Sequence, residues 1–189
     1  MCNDLGFDKF HLLSMNQRQI YYLAIVIIFV ICKLLYSIAD NNHLIFMIFP
    51  VNYGIEQMTG SSSFFIPENG YYFPVENILI DKSCSGFNFW MLAFTLYSFQ
   101  MIYHSGKRIN IYFLPIMFLM TYIFTLFTNT SRILISIKML TIFNPTILKK
   151  NSLTHEAIGG FVFIFFFILF YLIIQNALLK NSHENLTQS

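Results

Sequence analysis

Asp81-Lys82-Ser83-Cys84-Ser85-Gly86-Phe87-Asn88-Phe89-Trp90 is where a polar segment turns into an apolar helix, and the turn carries a thiol at Cys84. The small neighbours Ser83, Ser85 and Gly86 leave room beside the sulfur for a substrate backbone. A helix starting near Cys84 would present unpaired N–H groups there, and these favour the thiolate over the thiol. The apolar run continues to residue 104, so 86–104 is read as a membrane span.

The whole chain has the same character. Of 189 residues, 56% are hydrophobic and 11% are charged. Soluble domains carry about 25% charged residues, so this composition cannot cover a water-exposed surface. The expected fold is a single all-α integral membrane domain over 1–189. It is a multi-pass helical bundle of about four spans, with interfacial or re-entrant helices and a short extracytoplasmic loop region. A net charge of +2 is too small to suggest nucleic acid as a partner, and no basic run is available to track phosphates. Cys2, Cys32 and Cys84 are an odd set without a C-x-x-C pattern, which argues against a disulfide framework or a redox motif. The first 19 residues lack a signal-cleavage pattern, so the first hydrophobic segment is expected to stay as an anchor.

That segment, 20–38, is apolar except for Lys33, which lies toward one end and can snorkel. Leu44 to Val51 is too short to cross and reads as an interfacial or re-entrant piece within an extracytoplasmic segment, 39–85. Inside it, Phe64-Phe65-Ile66 and Val75 to Ile80 predict short strands, with a hairpin around Pro67-Glu68-Asn69-Gly70. Tyr71-Tyr72-Phe73 suits the headgroup level. The third span is 111–128, with Pro115 tolerated in its first turn. An interfacial segment, 129–155, then carries Arg132 and His155, and the fourth span, 156–179, leads into a cytoplasmic tail, 180–189.

Lys107 and Arg108 fall in a very short connection and fix it inside the cell. Cys84, Arg132 and His155 then arrive at one outer face from three distant parts of the chain. A rival arrangement has a fifth span through Ile133–Phe143, which strands His155 on the inner side. Together the three residues suit acyl transfer. A thiolate attacks a peptide carbonyl, His155 moves the proton, and Arg132 stabilises the tetrahedral oxyanion. Zinc on Cys84 and His155 lacks an obvious third ligand.

Three blocks, Ser83-Cys84-Ser85-Gly86-Phe87-Asn88-Phe89, Asn129-Thr130-Ser131-Arg132-Ile133 and His155-Glu156-Ala157-Ile158-Gly159-Gly160, resemble in order the cysteine, arginine and histidine blocks of the exosortase/archaeosortase family. Met58-Thr59-Gly60 to Gly70-Tyr71-Tyr72 and Asn88-Phe89 are most similar to its short exosortase K branch. The resemblance implies a cysteine transpeptidase or protease of the bacterial cytoplasmic (inner) membrane with its active site facing out. Its partners would be membrane lipid and exported proteins whose C-terminal sorting tail has a short motif, a hydrophobic helix and a basic end. It implies Cys84 as nucleophile, Arg132 as substrate or oxyanion partner, His155 as acid/base, and no cofactor. The chain is shorter than members with about eight spans, and N-terminal helices are missing by comparison.

Two readings from other classes stay open. A non-enzymatic subunit of a surface-polymer or protein export system predicts that Cys84 tolerates Ser or Ala. A small-solute carrier needs charges near the membrane midplane, where Lys33 alone is deep enough to qualify.

Overall fold

The computed structural model describes residues 17–104, 110, 112–142 and 152–187, with side chains through 139 and again over 159–176. The described residues form five α-helices: α1 (Gln17–Ile38), α2 (Ile45–Thr59), α3 (Phe87–His104), α4 (Phe113–Ile142) and α5 (Ser152–Thr187). Between α2 and α3 lie three short strands, β1 (Phe64–Ile66), β2 (Gly70–Phe73) and β3 (Ile78–Ile80), and a 3₁₀ turn, Lys82–Cys84.

Three stretches are long and apolar enough to cross a membrane among the described residues: α1, Phe113–Met139 of α4 and Gly159–Asn176 of α5. They keep their apolar side chains on the outside. In α1 only Ile25 is buried, while Leu23, Val26, Ile27, Val30 and Ile31 are exposed. Such a surface needs a hydrocarbon solvent.

Residues 86–104, expected as a span, form a helix, α3, that is not one of these three stretches; it is the centre of the bundle, packed against α1, α4 and α5. Helices that already sit in lipid gain little hydrophobic energy by meeting, so packing and interhelical hydrogen bonds hold α3 in place. Trp90 Nε1 donates to the Phe118 carbonyl of α4 at 3.1 Å, and Tyr97 Oη donates to the Phe167 carbonyl of α5 at 3.0 Å. Phe89 stacks on Phe163 at 4.5 Å between centroids, and Phe124 stacks on Phe170 at 4.2 Å. The abundant phenylalanines thus make one aromatic seam through α3, α4 and α5.

The expected short piece at Leu44–Val51 is longer, a 15-residue helix whose Met47, Ile48, Val51, Asn52 and Ile55 are buried. Pro50 lies inside it. Proline has no N–H to give the carbonyl four residues back, which is that of Phe46. The Tyr122 hydroxyl of α4 donates to that carbonyl instead. One side chain therefore satisfies the backbone group that proline frees and pins α2 to α4, so the helix runs on through Asn52 and Glu56.

The fold also departs from all-α by its small sheet, antiparallel in the order β1-β2-β3. Phe64 pairs with Tyr72 and Ile66 with Gly70 about the expected turn, but the partner strand is 70–73; of the expected strand Val75–Ile80 only Ile78–Ile80 forms, and Leu79 pairs with Tyr72. The aromatic run read as a headgroup-level cluster is the middle strand. Alternation explains this: Phe73 is fully buried against the helix core, as is Ile80 of β3, while Tyr72 stays partly exposed. Glu56 anchors the incoming loop by accepting from the Ser63 N–H at 2.8 Å and the Ser63 hydroxyl at 2.6 Å. These donors hold its carboxyl below the usual range. The anchor's contribution is therefore present above the ordinary carboxylate pKa and lost as pH falls through the lower folded value.

A further correction concerns Arg132. The polar run Asn129-Thr130-Ser131 suggests the end of a span, with 129–155 as an interfacial segment. Instead α4 is continuous across it to Ile142. Serines bond back to their own helix, Ser131 Oγ to the Phe127 carbonyl at 2.9 Å and Ser136 Oγ to the Arg132 carbonyl at 3.0 Å, so they need not break it. Arg132 nevertheless lies about 29 Å along the axis from Phe113, roughly one hydrocarbon thickness. Residues 143–151, where that segment was expected to continue, lie outside the described residues. Helix α5 begins before and ends after the expected 156–179, taking in most of the predicted tail.

Candidate functional site

Asp81 organises the cysteine turn. Its Oδ1 accepts from the Ser83 N–H at 2.9 Å, the Ser83 hydroxyl at 2.6 Å and the Cys84 N–H at 3.3 Å. The Cys84 N–H also reaches the Asp81 carbonyl, at 2.9 Å. This closes a 3₁₀ turn that ends at Cys84, three residues before α3 begins. Cys84 thus precedes the helix start rather than forming it. Of its small neighbours only Ser83 is exposed, with its hydroxyl 3.8 Å from the sulfur, while Ser85 is 1% exposed and Gly86 is buried.

Side chains of α1 and of the turn itself join the two elements. Tyr36 of α1 stacks on Phe87 with centroids 4.4 Å apart and planes within 5°. Lys82 Nζ sits 4.7 Å from the Tyr36 centroid and donates to the Ala39 carbonyl at 2.6 Å. Lys33, expected to snorkel, instead reaches α3 and donates to Asn88 Oδ1 at 2.7 Å. Both ammonium groups flank the turn from the α1 side.

On the other side, Asn129 of α4 is fully buried and uses both ends of its amide. Its Nδ2 donates to the Cys84 carbonyl, and its Oδ1 accepts from Arg132 Nε at 3.2 Å. One amide therefore separates the cysteine turn from the guanidinium. Gly86 makes this approach feasible. It has φ +75°, which L side chains avoid, and a Cβ there would lie 3.0 Å from Asn129 Cγ.

Arg132 then extends across α5. A Cβ on Gly159 would come within 3.2 Å of Arg132 Nη1, and the guanidinium carbon lies 4.9 Å from the Phe163 ring centroid. Gly159 and Phe163 are one helical turn apart, and their surface carries the arginine. The backbone of His155 belongs to the first turn of α5, one turn before Gly159. Its side chain lies outside the described residues.

The structure thus links the Cys84 turn to Arg132 through Asn129 and packs Arg132 against the helix that carries His155. Sequence reading assigned no role to Asn129 or Tyr36. The available signal for Asn129 was an amide three residues before an arginine in an apolar helix. Among the described residues, no three His, Cys, Asp or Glu side chains form a metal-ligand set. A cavity of about 590 Å³, lined by residues including Tyr22, Gln100, Tyr103, His104 and Tyr171, lies at the opposite end of α3 from Cys84 and takes no part in this arrangement. No protein-family model, curated protein or solved structure matches the chain.

Proposed function

We propose that the protein is an exosortase-like membrane cysteine peptidase or transpeptidase that cleaves the C-terminal sorting tail of exported proteins. The observation that carries this reading is the Asn129 amide, which joins the Cys84 turn to Arg132 while Arg132 rests on Gly159. The three blocks that resemble the family's cysteine, arginine and histidine motifs are therefore spatial neighbours. In the reaction, the Cys84 sulfur bonds to the tail's peptide carbonyl carbon, and Arg132 faces the oxyanion. The C–N bond then breaks, and the leaving amine receives the thiol proton through His155. A thioester remains until an amine or water displaces the sulfur and completes transfer or hydrolysis. The test compares C-termini of exported proteins, by mass spectrometry, in source cells with and without this chain. Proteins ending in a motif, an apolar helix and a basic end should be shortened only when it is present. Identical C-termini in both strains would count against the proposal.

In the arrangement we propose, α1, α3, α4 and α5 cross the bacterial cytoplasmic membrane, with Cys84 facing out and Lys107 and Arg108 inside. Support comes from Lys107 and Arg108 sharing one very short connection, against which Lys138, Lys149 and Lys150 fall outside, and from α3 filling the bundle centre, where lipid-facing hydropathy is not required. A membrane-impermeant thiol reagent on intact spheroplasts should label a cysteine introduced at the exposed Ser62 and spare one at the exposed Asn110. Labelling in the opposite pattern would invert the site's orientation.

A further inference from the structure

We propose that Asn129 is a positioning residue whose side-chain amide sets the separation and orientation of the Cys84 turn and the Arg132 guanidinium. This rests on the reading that Cys84 and Arg132 act together.

Burying an amide in apolar surroundings costs free energy unless both its ends are paired, and here both are. The two partners also fix which way round it sits. The Cys84 carbonyl can only accept and Arg132 Nε can only donate, so Nδ2 must face the first and Oδ1 the second. Few side chains satisfy that pair. Aspartate would set a second acceptor against the Cys84 carbonyl, glutamine is a methylene too long, and leucine fills the space without either bond.

The bond to Nε has a further consequence. It anchors the guanidinium by its inner nitrogen and keeps both terminal nitrogens out of this contact. Nη1 lies over Gly159, which has no side chain to cover it. The terminal N–H groups are the ones that form a planar fork toward a carboxylate or an oxyanion. Asn129 thus holds the arginine without spending the donors that chemistry would use. Phe163 lies under the same guanidinium but, as an apolar ring, sets no hydrogen-bond direction.

The experiment reads the field at the sulfur and needs no sorting tail. Full-length protein in membranes, with Cys2→Ala and Cys32→Ala, leaves Cys84 as the only thiol. Its alkylation rates by anionic iodoacetate and neutral iodoacetamide are measured across the same pH range. A held guanidinium raises the iodoacetate-to-iodoacetamide ratio. Asn129→Ala and Asn129→Leu should both lower that ratio by about threefold, because a released arginine moves away from the turn. Arg132→Ala should lower it similarly, and adding either Asn129 substitution to Arg132→Ala should change it no further. Leucine controls for the cavity that alanine leaves.

A residue that only maintained local packing would behave additively, lowering the ratio by the same factor with and without Arg132. That result would overturn the assignment, as would an unchanged ratio in both Asn129 variants. Unprocessed exported proteins would count against the peptidase reading while leaving this ratio test standing.

Discussion

Replacing Cys84 with either alanine or serine is expected to abolish processing of the cognate tail, while Cys2→Ala and Cys32→Ala leave it intact. The Cys84 turn is flanked by Lys33 and Lys82 from the α1 side and linked through Asn129 to Arg132. A thiol is intrinsically a much better nucleophile than an alcohol near neutral pH, whereas serine is far less acidic and needs a general base tuned to it. Alanine removes the nucleophile altogether. Either variant should fold normally, since Cys84 is half-buried and its backbone N–H and C=O make the bonds to Asp81 and Asn129 whatever the side chain. Immunoblots of the tailed precursor in membranes, with protein level checked in parallel, give the measurement. Substantial processing by Cys84→Ser would make the sulfur a packing group and favour a non-enzymatic export subunit.

Arg132→Lys should keep the protein in the membrane yet lose roughly 10²–10³-fold in rate, comparable to losing an oxyanion-hole donor. The geometry explains why lysine is a poor replacement. Arginine donates to Asn129 from Nε and carries its charge onward over Gly159 and the Phe163 face. A lysine ammonium is a single point of charge and cannot be anchored at one nitrogen while presenting a fork with two others. His155→Ala should behave differently. Without the imidazole, hydroxide must take the thiol proton, and hydroxide becomes more abundant as pH rises. The residual activity of His155→Ala should therefore rise across about pH 6–9, whereas Arg132→Lys should stay low over the whole range. Thioester capture and tail cleavage in membranes measure both. Normal cleavage by His155→Ala at neutral pH would remove histidine from the mechanism, and an unimpaired Arg132→Lys would reduce that arginine to a structural anchor.

The same residues show which parts of this protein are legible in the chain. Composition by itself determined a helical membrane-type chain, because 11% charge leaves too little polar surface for water, and three long apolar helices with exposed apolar faces follow from it. Local turn chemistry determined the hairpin at residues 67–69, where β1 meets β2. It also marked the polar-to-apolar change at Cys84, because glycine, proline and small polar residues act over a few positions.

Tertiary contacts decided the rest. The run Asn129-Thr130-Ser131-Arg132 looks like a helix end because its polar groups seem to need water. In the fold they find partners on their own turn, on the Cys84 carbonyl and across α5, and the helix continues. Helix α2 survives Pro50 because Tyr122, 76 positions from Phe46 in sequence, supplies the missing donor. Lys33 turns toward Asn88, although the sequence around it reads as a snorkelling lysine. For Asn129, Pro50 and Lys33 the deciding partner is distant in sequence, whereas Ser131 needs only its own helix. The bond of the fully buried Asn129 is worth most, because water is excluded there. Periodicity and composition describe how a segment meets its solvent. The neighbour that replaces that solvent is set by the fold, and here Asn129 is the neighbour that links Arg132 to the cysteine turn.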